Sequence, residues 1–181
     1  SPCRENLSPP CGKAKAVLKL SARSEIPTMA ESNLIFFDTD VLINWLSHEK
    51  ESRTGKPLWP AVEEILKAIQ SKKVKGATSI ISIMELRSFL RVRTKIAKAQ
   101  IEKEITKING LLNILVPNDI TMLSANQIQT ETNLMPIDSI QVAIVHENLP
   151  ATLVSRDKEL LSASKNFVSA TTPDELLSTF A

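Results

Sequence analysis

Tyrosine is absent from this 181-residue chain, and all aromatics together make up only 4% of it. A run of aromatic platforms for stacking nucleotide bases is therefore excluded as a mode of recognition, and Trp45 and Trp59 read instead as core or groove anchors. Histidine is nearly as scarce, with His48 and His146 isolated from one another. The two cysteines, Cys3 and Cys11, both lie close to the start of the chain. No Cys/His set at zinc-site spacing exists, and no disulfide framework can staple the periodic part of the sequence. The lack of cysteine beyond residue 11 fits a reducing, cytoplasmic setting. No apolar stretch reaches the roughly 18 residues that a bilayer-spanning helix needs. A net charge of +2 gives no sign of partner by itself, so any nucleic-acid argument must rest on where the charges sit.

Residues 1–28 are rich in Ser, Pro and Lys, contain Pro9-Pro10 and Pro27, and show no sustained apolar period. They are expected to be a disordered tail: a vector-derived remnant, or a mis-extended start ahead of Met29. A targeting peptide is the alternative, weakened by Glu5 and Glu25 and by the lack of an Arg-rich amphipathic pattern. Residues 29–181 read as one domain. Strand 34–38 leads into a helix over 41–47, then a loop from His48 to Pro57. Helix 59–71 has Val62, Ile65, Leu66 and Ile69 at helical spacing. Lys72, Lys73, Lys75 and Gly76 close it as cations and glycine close a C-terminus. A short strand over 77–79 is followed by a helical region over 80–113, a strand at 113–116, and helices over 121–131 and 139–148. Strand 151–154, a helix over 158–163, a weak strand at 167–168 and a terminal helix over 173–179 complete the pattern. Strands alternating with helices predict a mainly parallel sheet in a three-layer α/β/α sandwich.

The most informative stretch is Leu34-Ile35-Phe36-Phe37-Asp38-Thr39-Asp40. An apolar strand runs straight into acids, and in open α/β sheets the carboxyl ends of strands face the ligand crevice. Three more acids bear on Asp38. Glu85 shares a helical stripe with Ile81, Phe89 and Val92, where an ionised carboxylate needs a partner or a bound group; a salt bridge to Arg87 or Arg91 is the plain alternative. Asp138 precedes Gln141 by three residues, which also reads as a capping box. Asp157 follows strand 151–154, and it too reads either as a site acid or as the N-cap of helix 158–163. Asp40 is either a fifth carboxylate near the site or, the preferred reading, the N-cap of helix 41–47. Carboxylates gathered in one crevice repel and raise one another's pKa values. Mg²⁺ or Mn²⁺ resolves that conflict, being a hard cation that takes carboxylate oxygens and keeps waters.

In order, Phe37-Asp38-Thr39-Asp40-Val41-Leu42, Ser82-Ile83-Met84-Glu85-Leu86, Asp138 with Ile140, Val142 and Ala143 behind it, and Leu153-Val154-Ser155-Arg156-Asp157 resemble the four motifs of the PIN-domain ribonucleases. The likeness is greatest to the VapC-type toxins of toxin–antitoxin pairs, and it covers about residues 33–178. It implies that Asp38, Glu85, Asp138 and Asp157 are the catalytic, metal-binding acids, with Thr39 and Ser155 orienting them by hydrogen bonds. It implies Mg²⁺- or Mn²⁺-dependent hydrolysis of RNA, a homodimer, and an antitoxin whose amphipathic segment packs in a groove near the site. Trp45, Leu46, Leu58 and Trp59 are candidates to line that groove. Arg87 and Arg91, with Arg93, Lys95 and Lys98 after them and Lys72, Lys73 and Lys75 before Glu85, would hold RNA phosphates; a solvated helix face paired with Glu102 and Glu104 is the plainer account. Two rivals stand beside this reading. Asp38-Thr39-Asp40 resembles the Asp-x-Asp nucleophile of haloacid-dehalogenase phosphatases, although their later acidic pair is missing. A PIN-like module that binds RNA or protein without cutting is the other.

Overall fold

Four apolar residues, Leu34–Phe37, form strand β1, and Phe36 and Phe37 are completely buried. The computed structural model describes residues 34–94 and 96–180, so the expectations for residues 1–28 and for Lys95 lie outside it. Around β1 lie β2 (Lys75–Ser79), β3 (Asn113–Leu115), β4 (Ala151–Val154) and β5 (Ser169–Thr171). All pairings are parallel, in the order β3-β2-β1-β4-β5. The register sets Phe37 beside Val154, so the residues that follow, Asp38 and Ser155, leave the sheet side by side.

Among the described residues eight helices cover the sheet: α1 (Thr39–Ser47), α2 (Pro60–Gln70), α3 (Ile80–Arg93), α4 (Lys98–Leu111), α5 (Asp119–Glu131), α6 (Pro136–Glu147), α7 (Lys158–Ser164) and α8 (Pro173–Ser178). Side chains alternate across a strand, and the two faces of β1 enter separate cores. Ile35 and Phe37 pack with residues of α1 to α4 and α8, such as Leu42, Ile65, Leu86, Ile105 and Leu176. Phe36 packs with residues of α5, α6 and α7, such as Ile128, Val142 and Leu160. The result is the three-layer α/β/α sandwich that strand–helix alternation predicts. Strands β2 and β3 extend from one side of β1 and β4 and β5 from the other, so the order reverses between β1 and β4. A crevice opens at such a reversal, outside the carboxyl ends of the strands.

Among the boundaries that differ from the sequence reading, four have a clear physical reason. The helical region over 80–113 is two helices. The chain is extended at Thr94 and Ala97, and the Thr94 hydroxyl bonds back to the Leu90 carbonyl. A continuous helix over 80–113 would run roughly 50 Å, whereas the fold-back puts Leu90, Ile101 and Ile105 into one core. Strand β5 follows Phe167 and Val168 instead of containing them; their N–H groups both bond to the Ser164 carbonyl in a turn, so their apolarity marks burial. Helix α6 begins at Pro136, whose fixed φ suits the first helical position. Helix α1 begins at Thr39, two residues earlier than expected, with Asp38 as its N-cap.

Candidate functional site

Asp38 ends β1 and starts α1. Its Oδ1 accepts the N–H of Thr39 at 2.7 Å and its Oδ2 accepts the Ser155 hydroxyl at 2.9 Å. Its own N–H continues the ladder to Val154. It is only 9% exposed. Burial, then the nearby carboxylate of Asp40, push its pKa up to about 7 against the pull of these hydrogen bonds, with Asp138 adding to the rise.

Since Asp38 caps α1, Asp40 cannot, and the N-cap reading of Asp40 is corrected. Asp40 stands in the first turn of α1 and reaches across to the turn after β4. There its Oδ2 accepts the N–H of Arg156 at 2.8 Å and faces the Ser155 hydroxyl at 3.4 Å, while its Oδ1 is buried without a partner. Burial raises its pKa, and Asp157 contributes to the rise. Asp157 keeps its capping role: its Oδ1 accepts the N–H groups of Glu159 and Leu160 at the start of α7. Its own N–H is fixed by the Ser155 hydroxyl at 3.0 Å. Ser155 thus stands between Asp38, Asp40 and Asp157.

The capping reading of Asp138 is overturned. Met135 is the N-cap of α6 and offers no side-chain bond, which leaves Asp138 inside the first turn without a capping duty. Its pKa is raised by burial, then by Asp157, Glu85, Glu159 and Asp40. Glu85 does not pair with Arg87 or Arg91. It accepts the Thr39 hydroxyl at 2.5 Å, whereas Arg87 grips Glu102 on α4 through Nε at 3.0 Å and Nη2 at 3.3 Å. Arg91 is exposed near the end of α3. Lys72, Lys73 and Lys75 lie at the opposite end of the sheet, because Lys75 opens β2 beside Leu34, the first residue of β1.

Sequence reasoning missed a polar layer below the acids. Gln141 is fully buried, and its Nε2 donates to the Ser82 hydroxyl at 2.7 Å, which in turn meets Ser79, the N-cap of α3. Ser82 lies one turn before Glu85 and Gln141 one turn after Asp138, so this bond fixes the spacing of the two acid-bearing helices. The signal was a lone Gln inside Ile140–Val145, an otherwise apolar run. Arg156 was read only as part of a motif.

The donors are all oxygens, the set that hard divalent cations prefer, and the orphaned Oδ1 of Asp40 is a further oxygen of that kind. Among the described residues no three His, Cys, Asp or Glu side chains are gathered closely enough to form a metal cage. An all-oxygen donor set of this kind fits a hard divalent cation such as Mg²⁺, which binds through one or two carboxylates and retains several waters.

A separate cavity of about 670 Å³ lies between α1, α2, α3 and α4, lined by Trp45, Leu46, Leu66, Leu90, Ile96 and Leu111 among others. Leu58 and Trp59, expected beside Trp45 and Leu46, do not line it; Trp59 packs edge-on against His48 with centroids 4.8 Å apart.

The fold recurs in solved structures. VapBC2 of Rickettsia felis, bound to a DNA fragment from its promoter, superposes with a TM-score of 0.60 at 15% identity, covering 77% of this chain and 98% of that one. FitAcB of Neisseria gonorrhoeae gives 0.55 at 18% identity, covering 77% and 97%. A toxin–antitoxin complex from Klebsiella pneumoniae gives 0.54 at 19%, also covering 77% and 97%. At such identities the likeness speaks for the fold alone. No curated protein sequence matches the chain. The family model described as PIN domain matches residues 35–166, from the first core residue of β1 past the acids of the β4–α7 turn. The chain therefore belongs to the PIN domain family.

Proposed function

We propose that this protein is a metal-dependent endoribonuclease that hydrolyses RNA phosphodiester bonds, and that it serves as the toxin of a toxin–antitoxin pair. The observation that carries this reading is the convergence of acids at the reversal between β1 and β4. The pKa values of Asp38, Asp40 and Asp138 are all raised, by burial first (Asp138 is half-buried) and by neighbouring carboxylates. Such crowding opposes ionisation, and a bound divalent cation would favour it. Asp38, Asp138 and Asp157 would hold Mg²⁺ or Mn²⁺, with Glu85 at the rim. When bound, that ion supplies activation of water and neutralisation of phosphate charge. The chain's own residues orient the donors. Ser155 holds Asp38 and the backbone of Asp157, Thr39 holds Glu85, and the bond between Gln141 and Ser82 holds α6 against α3.

The partner part of the reading draws on two surfaces. The cavity beside Trp45 and Leu46 has apolar walls and a polar rim including Glu63, Lys67, Glu104 and Lys107, which suits an amphipathic segment of an antitoxin. Val116, Ile120 and Leu123 keep large apolar side chains in solvent around the start of α5, a patch that a homodimer would cover. Within the family the phosphatase reading loses its ground, since Asp40 is committed to the backbone of Arg156. The non-cleaving reading keeps the same fold and acids and differs in whether metal-dependent cleavage follows.

One experiment separates these readings. An Asp38→Ala, Asp157→Ala double variant is compared with the parent on RNA, with Mg²⁺ or Mn²⁺ and with EDTA. The parent should cut only with metal, and the variant should lose more than the roughly 100-fold typical of removing an outer partner of a metal ligand. Equal cleavage in all conditions sinks the metal-nuclease reading. An uncut RNA with no Mn²⁺ bound favours the binding module.

A further inference from the structure

Arg156 sits between Ser155 and Asp157, where a cation would be expected to neutralise the acids. Its side chain turns away from them. Nη1 donates to Asp174 Oδ2 on α8 at 2.7 Å, and Nη2 donates to the carbonyl of Leu58, in the loop between α1 and α2, at 2.7 Å. Asp174 also receives Lys56 Nζ from that loop at 3.1 Å. Burial pushes the Asp174 carboxyl up, yet the hydrogen bonds from Arg156 and Lys56 hold it below the usual range. The Arg156 side chain is 19% exposed, and its Nε is buried with no partner, so the planar head is held by its two outer nitrogens. The N–H of the same residue donates to Asp40.

One residue thus fastens the turn carrying Ser155 and Asp157 to three places: the first turn of α1, the α1–α2 loop and α8. We propose that Arg156 is a positioning residue, whose grip on Leu58 and Asp174 fixes the Ser155–Asp157 turn and so sets the carboxylates of Asp38 and Asp157 for a divalent cation. This inference rests on the metal-dependent reading above. Truncating the side chain leaves the backbone bond to Asp40 in place and removes only the outer clamp. The acids would then lose preorganisation while keeping their number and charge. A planar fork with two acceptors in different elements is a site where lysine replaces arginine only in part.

The test is Mn²⁺ binding to the full chain, followed by electron paramagnetic resonance and calorimetry, with melting in EDTA recorded for each variant. Arg156→Ala should weaken Mn²⁺ binding by about 10-fold, the scale on which outer partners of metal ligands act. Arg156→Lys should recover part of the loss, and Asp174→Asn should show a smaller one. Arg87→Ala serves as the control. It breaks an ion pair of comparable exposure, 26% and 43% against 19% and 40%, whose partner is Glu102 on α4. It should lower the melting temperature and leave Mn²⁺ affinity within about twofold of the parent, well short of that scale. The inference is overturned if Arg156→Ala binds Mn²⁺ as tightly as the parent, or if Arg87→Ala weakens binding equally. Should Arg156→Ala fail to fold, unchanged affinity in both Arg156→Lys and Asp174→Asn overturns it. A parent that binds no Mn²⁺ removes the metal reading itself, a result distinct from a parent that binds and a variant that binds equally well.

Discussion

The two ends of this sheet are built from the same five strands and have opposite characters. At the carboxyl end, β1 and β4 run into Asp38, Asp40, Ser155 and Asp157, and buried carboxylates press on one another. At the amino end, Lys72 and Lys73 in the turn before β2 and Lys75 at its first position are all exposed. Behind those lysines Gly76 is buried so tightly that an added Cβ would stand 2.6 Å from both Ile69 Cδ1 and Leu112 Cδ2. Charge alone does not mark a site. One end concentrates like charge in a dry place and holds it with hydrogen bonds, at a cost in stability; the other leaves its charge in water and packs closely beneath it. Parallel topology makes this division natural, because all the strands deliver their carboxyl ends to one edge.

The largest expected effect breaks the carboxyl end. Asp38→Asn keeps an oxygen to cap Thr39 and a side chain that can meet the Ser155 hydroxyl, so the local fold survives. Loss of the charge should nevertheless reduce RNA cleavage by more than about 100-fold. Stability should move the other way. The Asp38 carboxyl has its pKa raised from 3.8 to about 7. Between those values the folded chain keeps a proton that the unfolded chain has released, so this group makes stability fall as pH rises through that window. In EDTA at pH 8, Asp38→Asn should therefore melt higher than the parent, and near pH 4 the advantage should vanish. Melting curves at the two pH values check the sign. A variant that is less stable at pH 8 would mean that burial of this charge is not opposed.

At the amino end the effect is on packing alone. Gly76→Ala must push aside Ile69 and Leu112, both buried, and overpacking of this kind costs about 1–3 kcal/mol. For a domain of this size that lowers the melting temperature by roughly 2–4 °C per kcal/mol. Mn²⁺ affinity, measured on the folded variant, should match the parent. A comparable loss of affinity would show that the two ends are mechanically linked.

How much of this was legible in the sequence depended on whether the cause was local. The strand at Leu34–Phe37 is an apolar run and the strand at Ala151–Val154 an apolar run broken only by Thr152, each ended by polar residues, and both could be read directly. The capping of α7 by Asp157 was readable for the same reason. Asp40 was read as a cap, and Asp138 as either a cap or a site acid, because each precedes a helical pattern, but capping belongs to whichever residue first leaves helical geometry. The pairing of β1 with β4 gave that role to Asp38, and Pro136 moved the start of α6 ahead of Asp138. The fold-back at Thr94 carried no glycine or proline, since its cause is the core shared by α3 and α4. The clamp of Arg156 on Leu58 and Asp174 joins residues far apart in the chain, and no spacing rule anticipates it.

The smallest expected effect sharpens the comparison from the lysine side. In sequence Lys72, Lys73 and Lys75 stand near Glu85, and proximity alone would enrol them in phosphate binding. The register of β2 instead places them a full strand length from the acids, at the opposite end of the sheet. A lysine that contacts a phosphate adds about 0.7–0.9 to the slope of log binding constant against log salt. If Lys73 and Lys75 both contacted RNA, removing them would lower that slope by between about 1.4 and 1.8. The expected outcome for a Lys73→Ala, Lys75→Ala variant is an unchanged slope, with cleavage within about twofold of the parent, since neither residue meets the bound strand. Titration of a single-stranded RNA across a series of salt concentrations reads the slope directly. A drop of one or more would extend the RNA path around the edge of the sheet, and the amino end would then join the substrate surface.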